Sequence, residues 1–283
     1  MKAIQTTSQG MSEWIMERVA RSMRIPQPEL EKDATVAGAS WTRREIRKTV
    51  RALMEQGRLM YTYELGTSFL EENFSGASRL GFKIIAVPPG QIYRGSDEDV
   101  PLVMKQGASF GSGRHPTTRM AVKAIEQVLS PDNPLRPQGS VLDAGTGTGV
   151  LALSALKLGM ENALCTDIDP CALFETRENA LLNGLENRVR VEDIPIPEIP
   201  GRYSLILANL RFPTLVEAMP VFTQTLIEPG WLIVSGIQVA EAGDMELEAK
   251  KHGFVSRNLM TEQKWACMIF LQENHKELTN GEV

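Results

Sequence analysis

From residue 116 onward, the hydrophobic and polar positions fall into two alternating patterns. Apolar residues at helical spacing predict helices at about 116–129, 149–158 and 170–183. Between and after them, short apolar runs at 140–144, 163–167, 188–192, 203–208 and 230–236 have the length of buried strands. Helices alternating with short buried strands predict a doubly wound α/β sheet of parallel strands. Its right-handed crossovers place the ligand site at the strands' carboxyl ends. Upstream, Phe82–Val87 and Val100–Met104 read as short strands joined by the turn-rich Pro88-Pro-Gly-Gln91 and Gly95-Ser-Asp-Glu-Asp99. They are taken as a linker spanning 71–107, which leaves the α/β domain to 108–275.

The amino-terminal pattern is different. Trp14, Ile15, Arg18, Val19 and Met23 predict a helix beginning near Ser12. Thr42 with Glu45 forms a capping box before a second helix, whose apolar face is Ile46, Val50, Leu53 and Met54. Gly57 stands where a left-handed cap would end that helix. The following Leu59–Leu65 alternates like a strand. Helix, helix and strand over residues 10–70 resemble a winged helix-turn-helix module. The second helix turns Arg43, Arg44, Arg47, Lys48 and Arg51 to the side opposite its apolar face. Such a face meets nucleic-acid phosphates, docks on a protein, or is simply solvated.

Composition narrows the setting. No apolar stretch nears the roughly 18 residues of a membrane span; Val150–Ala155, for example, is soon followed by Lys157. The first residues lack the continuous apolar segment of a secretory signal, so a cytoplasmic protein is expected, with no membrane partner. Three cysteines, Cys165, Cys171 and Cys267, give neither a disulfide framework nor a metal-ligand spacing, and they read as small core residues. Residues 1–70 carry 11 Lys/Arg against 8 Asp/Glu, while the remainder of the chain carries 19 against 27. The formal charge of −5 thus conceals a basic amino-terminal part and an acidic remainder, which suggests different partners for the two.

The chemistry concentrates in Ser140-Val-Leu-Asp-Ala-Gly-Thr-Gly-Thr-Gly-Val150. A buried strand runs through Asp143 into glycines 145, 147 and 149, and then into a helix. Glycine permits the sharp turn and lets a ligand approach the backbone with no Cβ in the way. The dinucleotide fingerprint would need a third glycine at position 150, where Val stands. Alternating glycines, a preceding acid and a second acid, Asp167, after the next strand fit S-adenosylmethionine instead. Asp167 is placed to accept both ribose hydroxyls, whereas Asp169 is assigned to capping the helix that begins at Pro170.

With these segments in view the chain resembles a known family. Ser109-Phe-Gly-Ser-Gly-Arg-His-Pro-Thr-Thr118, the Asp143–Gly149 loop, Thr166-Asp-Ile-Asp-Pro170, Glu178-Asn-Ala-Leu-Leu-Asn-Gly184, Leu207-Ala-Asn-Leu210 and Pro229–Gly236 look like the successive motifs of PrmA-type ribosomal-protein methyltransferases over about 108–270. The resemblance implies a Rossmann-like class I methyltransferase domain. It implies cofactor contacts from Phe110, Gly113, Thr118, Asp143, Gly145, Gly147, Asp167 and Asn209, with the 109–118 segment closing over the ligand. It also implies a protein substrate, ribosomal by the family's habit. The family's own amino-terminal domain is a small α+β unit, unlike the module read here, so the acceptor is left to the accessory region.

Methyl transfer from a sulfonium requires mainly that a neutral nucleophile be held in line. Asn209, at a strand's carboxyl end, is assigned the catalytic task of accepting a hydrogen bond from the acceptor amine, with lysine as first choice. Trp265 either walls the pocket or belongs to the core, and His115 is read as a turn residue ahead of any role in proton transfer. Two other readings stand beside this one: a nucleic-acid or small-molecule methyltransferase guided by the winged helix, and a cofactor-sensing transcriptional regulator without turnover.

Overall fold

A computed structural model of the chain describes residues 8–22, 24–64, 66–73, 76–105 and 115–272. Its contacts divide the chain into two compact units, one ending at Gly76 and the other beginning at Ala77.

The first unit runs α1 (Ser8–Ser22), β1 (Arg24–Pro26), α2 (Gln27–Val36), α3 (Arg43–Glu55), β2 (Leu59–Glu64) and β3 (Thr67–Glu72). The three strands form an antiparallel sheet of order β1-β3-β2. Ile15, Val19, Leu30, Ile46, Leu53 and Leu70 share its core. The capping box of α3 forms as its sequence requires: Glu45 N–H donates to Thr42 Oγ1 at 3.3 Å and Thr42 N–H to Glu45 Oε2 at 2.7 Å. Gly57 follows with φ +68°. Met23 and Leu65 lie outside the described residues.

α2 is an element that hydrophobic periodicity did not predict. It offers the core only Leu30 and Ala34, and its remaining buried side chain is charged. That side chain, Glu31, explains the correction it forces on the basic helix. Arg47 Nε donates to Glu31 Oε1 at 2.7 Å and Arg47 Nη2 to Oε2 at 3.3 Å, while Arg43 lies 3.9 Å away. These bonds, foremost Arg47's, hold the Glu31 carboxyl below its usual range despite its burial. Two of the five cations of α3 are therefore turned toward α2, and Arg44, Lys48 and Arg51 are left exposed.

The second unit opens with β4 (Ser78–Arg79), β5 (Ile84–Val87) and β6 (Val100–Val103), a small sheet in which β5 pairs antiparallel with β4 and parallel with β6. This corrects the linker expected over 71–107: from Ala77 the segment belongs to the second unit, and Leu80, Ile84, Leu102 and Met104 enter its core. α4 (Pro116–Val128) holds it in place. The Glu126 carboxylate of that helix accepts backbone N–H groups from Phe82, Lys83 and Ile84.

The main sheet comprises β7 (Ser140–Ala144), β8 (Asn162–Thr166), β9 (Val189–Glu192), β10 (Tyr203–Asn209), β11 (Leu226–Gln238), β12 (Phe254–Glu262) and β13 (Trp265–Gln272). Its order is β12-β13-β11-β10-β7-β8-β9. The intervening helices are α5 (Val150–Lys157), α6 (Pro170–Leu182), α7 (Phe212–Thr225) and α8 (Ala242–Lys251). From β9 to β11 neighbouring strands are parallel, as expected. The wholly parallel sheet is corrected at the other edge, where β13 runs antiparallel to both β11 and β12. The physical reason is the connection: only Gln263 and Lys264 separate β12 from β13, and a tight turn joins antiparallel neighbours where a parallel pair needs a crossover. Cys165 and Cys267 are core residues, but Cys171 is exposed at the start of α6. Among the described residues no helix is long and apolar enough to cross a membrane.

Candidate active site

The site is built where β7, β8 and β10 end. Beyond β7 the backbone doubles back at Gly145, φ +72°, and the N–H groups of Gly145 and Thr146 both donate to Thr166 O, at 2.9 and 3.0 Å. A Cβ on Gly145 would stand 2.5 Å from the Leu210 side chain, so the turn and the space for Leu210 both require glycine here. Gly149 then caps α5, and a Cβ there would meet Thr176 at 2.9 Å.

The two acids divide the work of shaping this loop. Asp143 is fully buried; its Oδ2 accepts Thr146 Oγ1–H at 2.9 Å and Ala152 N–H at 3.2 Å, which binds the loop to the first turn of α5. Burial pushes its carboxyl up to about 7, against the opposing effect of those two donors. Asp167, partly exposed, accepts Gly147 N–H on Oδ2 and Asp169 N–H on Oδ1, each at 3.0 Å. Each oxygen keeps acceptor capacity for a further hydroxyl. Asp169 caps α6 through Cys171 N–H at 2.9 Å, the role expected of it.

A polar stripe on α6 supports the loop from behind, and periodicity gave these residues no role. Thr176 Oγ1 donates to Gly147 O and Asn179 Nδ2 to Thr148 O, both at 2.9 Å. Asn179 Oδ1 accepts Lys105 N–H at 2.9 Å, and Asn183 exchanges two bonds with the backbone of Val103. The glycine loop and the end of β6 are thereby fixed on one helix face. The recoverable signal was Thr176, Asn179 and Asn183 at i, i+3 and i+7, uncharged polar residues on a face that must be buried.

The opposite wall comes from α4 and β11. His115 caps α4: its Nδ1 faces Thr117 Oγ1 at 2.7 Å and accepts the Thr117 N–H at 3.4 Å. Burial, then the charges of Arg119 and Lys264, push its imidazolium pKa down, so the ring is neutral near pH 7. The His115 ring meets Trp265 edge-on, centroids 4.8 Å apart, and the half-buried Trp265 also packs against the hydrophobic core. Ser235 Oγ donates to Thr117 O at 3.1 Å, tying α4 to the strand next to β10. Asn209, last residue of β10, lies opposite Ser235 and packs on Gly236, where a Cβ would stand 3.0 Å from Asn209 Oδ1. Phe110 and Gly113 lie outside the described residues.

Three buried polar atoms around this edge lack a hydrogen-bond partner among the described residues: Thr118 Oγ1, Asp143 Oδ1 and Asn209 Oδ1. Folded proteins rarely tolerate such atoms, each of which costs about 1–3 kcal/mol when unsatisfied. Three of the residues assigned to the ligand thus carry unused hydrogen-bonding capacity at this edge. S-adenosylmethionine fits this set: it brings an ammonium and ribose hydroxyls, and the open glycine turn admits it against the backbone.

Comparison with known proteins agrees with the geometry. Residues 72–273 match the family model described as ribosomal protein L11 methyltransferase (PrmA). A ribosomal protein L11 methyltransferase of Geobacter metallireducens is 35% identical over 198 residues, covering 68% of this chain and 62% of that protein. Its counterpart in Geotalea uraniireducens is 32% identical over 205 residues, covering 69% and 64%. The matched stretch thus spans less than two thirds of these relatives' length. The crystal structure of a ribosomal protein L11 methylase from Lactobacillus delbrueckii subsp. bulgaricus superposes with a TM-score of 0.62 at 27% identity, over 70% of this chain and all of that one. By its family match and these relatives, the chain belongs to the PrmA methyltransferase family.

Proposed function

We propose that the chain is an S-adenosylmethionine-dependent methyltransferase that acts on protein amino groups, lysine first, with a ribosomal protein as acceptor. The observation that carries this reading is the unpaired Asn209 Oδ1, buried at a strand end beside a glycine loop whose Asp167 still has capacity for hydroxyl donors. S-adenosylmethionine supplies an electrophilic methyl group when bound. The chain's own residues do the rest. Asp167 receives the ribose, Gly145 and Gly147 give access to the loop backbone, and Thr118 contributes a hydroxyl from the first turn of α4. Asn209 accepts a hydrogen bond from the acceptor amine and so orients its lone pair.

A lysine amine of ordinary pKa about 10.4 costs about 4.6 kcal/mol to deprotonate at pH 7. Seclusion from water at the sheet edge offsets part of that cost, because a desolvated ammonium is disfavoured. The relatives named above for ribosomal protein L11 support a ribosomal acceptor, and that acceptor places the work in the cytoplasm. The amino-terminal unit is read as a winged helix serving partner choice; its helix–strand–helix–helix–hairpin order and its β1-β3-β2 sheet support this.

The test is to incubate the full chain with methyl-labelled cofactor and ribosomal fractions. Acid-stable label on a protein amine is the expected result. Label confined to RNA or to small molecules would refute the assignment.

A further inference from the structure

The outer face of α3, in the first unit, has a chemistry of its own. The helix carries five cations in 13 residues within a chain of formal charge −5. Glu31 divides them into two groups. Arg47 and, more distantly, Arg43 are held against this buried carboxylate of α2, which fixes the two helices on each other. Arg44, Lys48 and Arg51 are exposed, and none of the three is ion-paired among the described residues.

At 1.5 Å per residue, Arg44 and Arg51 are about 10 Å apart along the helix. The three side chains follow one another at i, i+4 and i+7, so they form a stripe along a single arc. The stripe lies on the side of α3 away from Ile46, Val50 and Leu53, which are buried. The β2–β3 hairpin of the same unit presents Tyr63, 75% exposed.

We propose that α3 docks on duplex DNA, with Arg44, Lys48 and Arg51 contacting the phosphates that flank the major groove, while Arg43 and Arg47 set the helix on α2. A helix of about 10–12 Å diameter enters the roughly 12 Å major groove of B-form DNA, and the deep, narrow major groove of A-form RNA excludes it. Three neutralised phosphates give a slope of about −2.7 for log affinity against log salt.

The experiment measures binding of the full chain to a short mixed-sequence DNA duplex by fluorescence anisotropy over a salt series. The triple variant R44Q/K48Q/R51Q is compared with a charge-matched control in the second unit, R94Q/K157Q/R202Q. All six positions are exposed, and unchanged thermal unfolding shows that the variants fold. The expected result is salt-dependent binding with that slope, weakened at least about tenfold in the first variant and unchanged in the control. The proposal is overturned by absence of binding, by equal loss in both variants, by tighter binding to an RNA duplex, or by displacement of the DNA by polyglutamate of equal charge.

Discussion

At the residue scale, the two acids of the glycine loop make separable predictions. Asp167 holds the loop through Gly147 N–H and has capacity for donors beyond it. Hydrogen bonds to a charged acceptor contribute about 1.5–3 kcal/mol each. Asp167→Ala is therefore expected to weaken binding of S-adenosylhomocysteine at least about a hundredfold by calorimetry, and unchanged affinity would remove the residue from the site. Asp143 predicts a pH effect instead. Unfolded, its carboxyl ionises near 3.8; folded, near about 7. Within that window the folded chain holds the extra proton, so the contribution is fully present below the unfolded value and is withdrawn as pH rises to about 7, by up to roughly 4 kcal/mol. Asp143→Asn keeps an acceptor for Thr146 and Ala152 but does not ionise. Urea midpoints at about pH 5 and pH 8 should then change less in the variant than in the parent, and identical shifts would contradict the assignment. The placement of Asp143, Asp167 and Asn209 at or beside strand ends was legible because a glycine turn or a helix start follows each strand in the sequence. The unpaired atoms of Thr118, Asp143 and Asn209 were not legible, because satisfaction of a buried group depends on every neighbour at once.

At the element scale, legibility followed burial. α3 could be read from its capping box and its single apolar face, whereas α2 could not, since only Leu30 and Ala34 are its buried apolar residues and its third buried side chain is the carboxylate Glu31, paired with the exposed Arg47. That pair yields a stability prediction. Arg47→Ala removes the main partner of Glu31 and is expected to lower the denaturation midpoint of the first unit, whereas Arg44→Ala, exposed and outside that pair, should leave it close to the parent's. Chemical denaturation followed through Trp14 and Trp41, which pack edge-on in that unit, measures both. Equal effects would show that Glu31 is no anchor. α6 shows the converse limit: its Asn179 and Asn183 were visible as a motif, yet their partners at Val103, Lys105 and Thr148 are distant in sequence. Asn179→Leu, which removes both bonds while keeping the number of side-chain heavy atoms, should raise the dissociation constant for cofactor. Asn179→Asp, which keeps the acceptor for Lys105, should recover part of it.

At the scale of the whole molecule, the alternation of helices and strands disclosed the parallel half of the sheet. The antiparallel β12–β13 edge escaped because β12 is an exposed, alternating strand, half of whose positions face water. The assignment of 71–107 to a linker failed for a related reason. Short strands separated by turns resemble a connector until the groups that hold them, Glu126 and Asn183, are seen. The family match, residues 72–273, falls almost wholly on the second unit. Amine methylation at the β10 end is tested by single-turnover transfer at saturating cofactor, wild type against Asn209→Ala. Label on a protein amine is expected for the wild type. In the variant, cofactor affinity within a few-fold of wild type and transfer slower by about a hundredfold or more are expected. Transfer by Asn209→Ala at the wild-type rate, or no transfer to protein by the wild type, would contradict it.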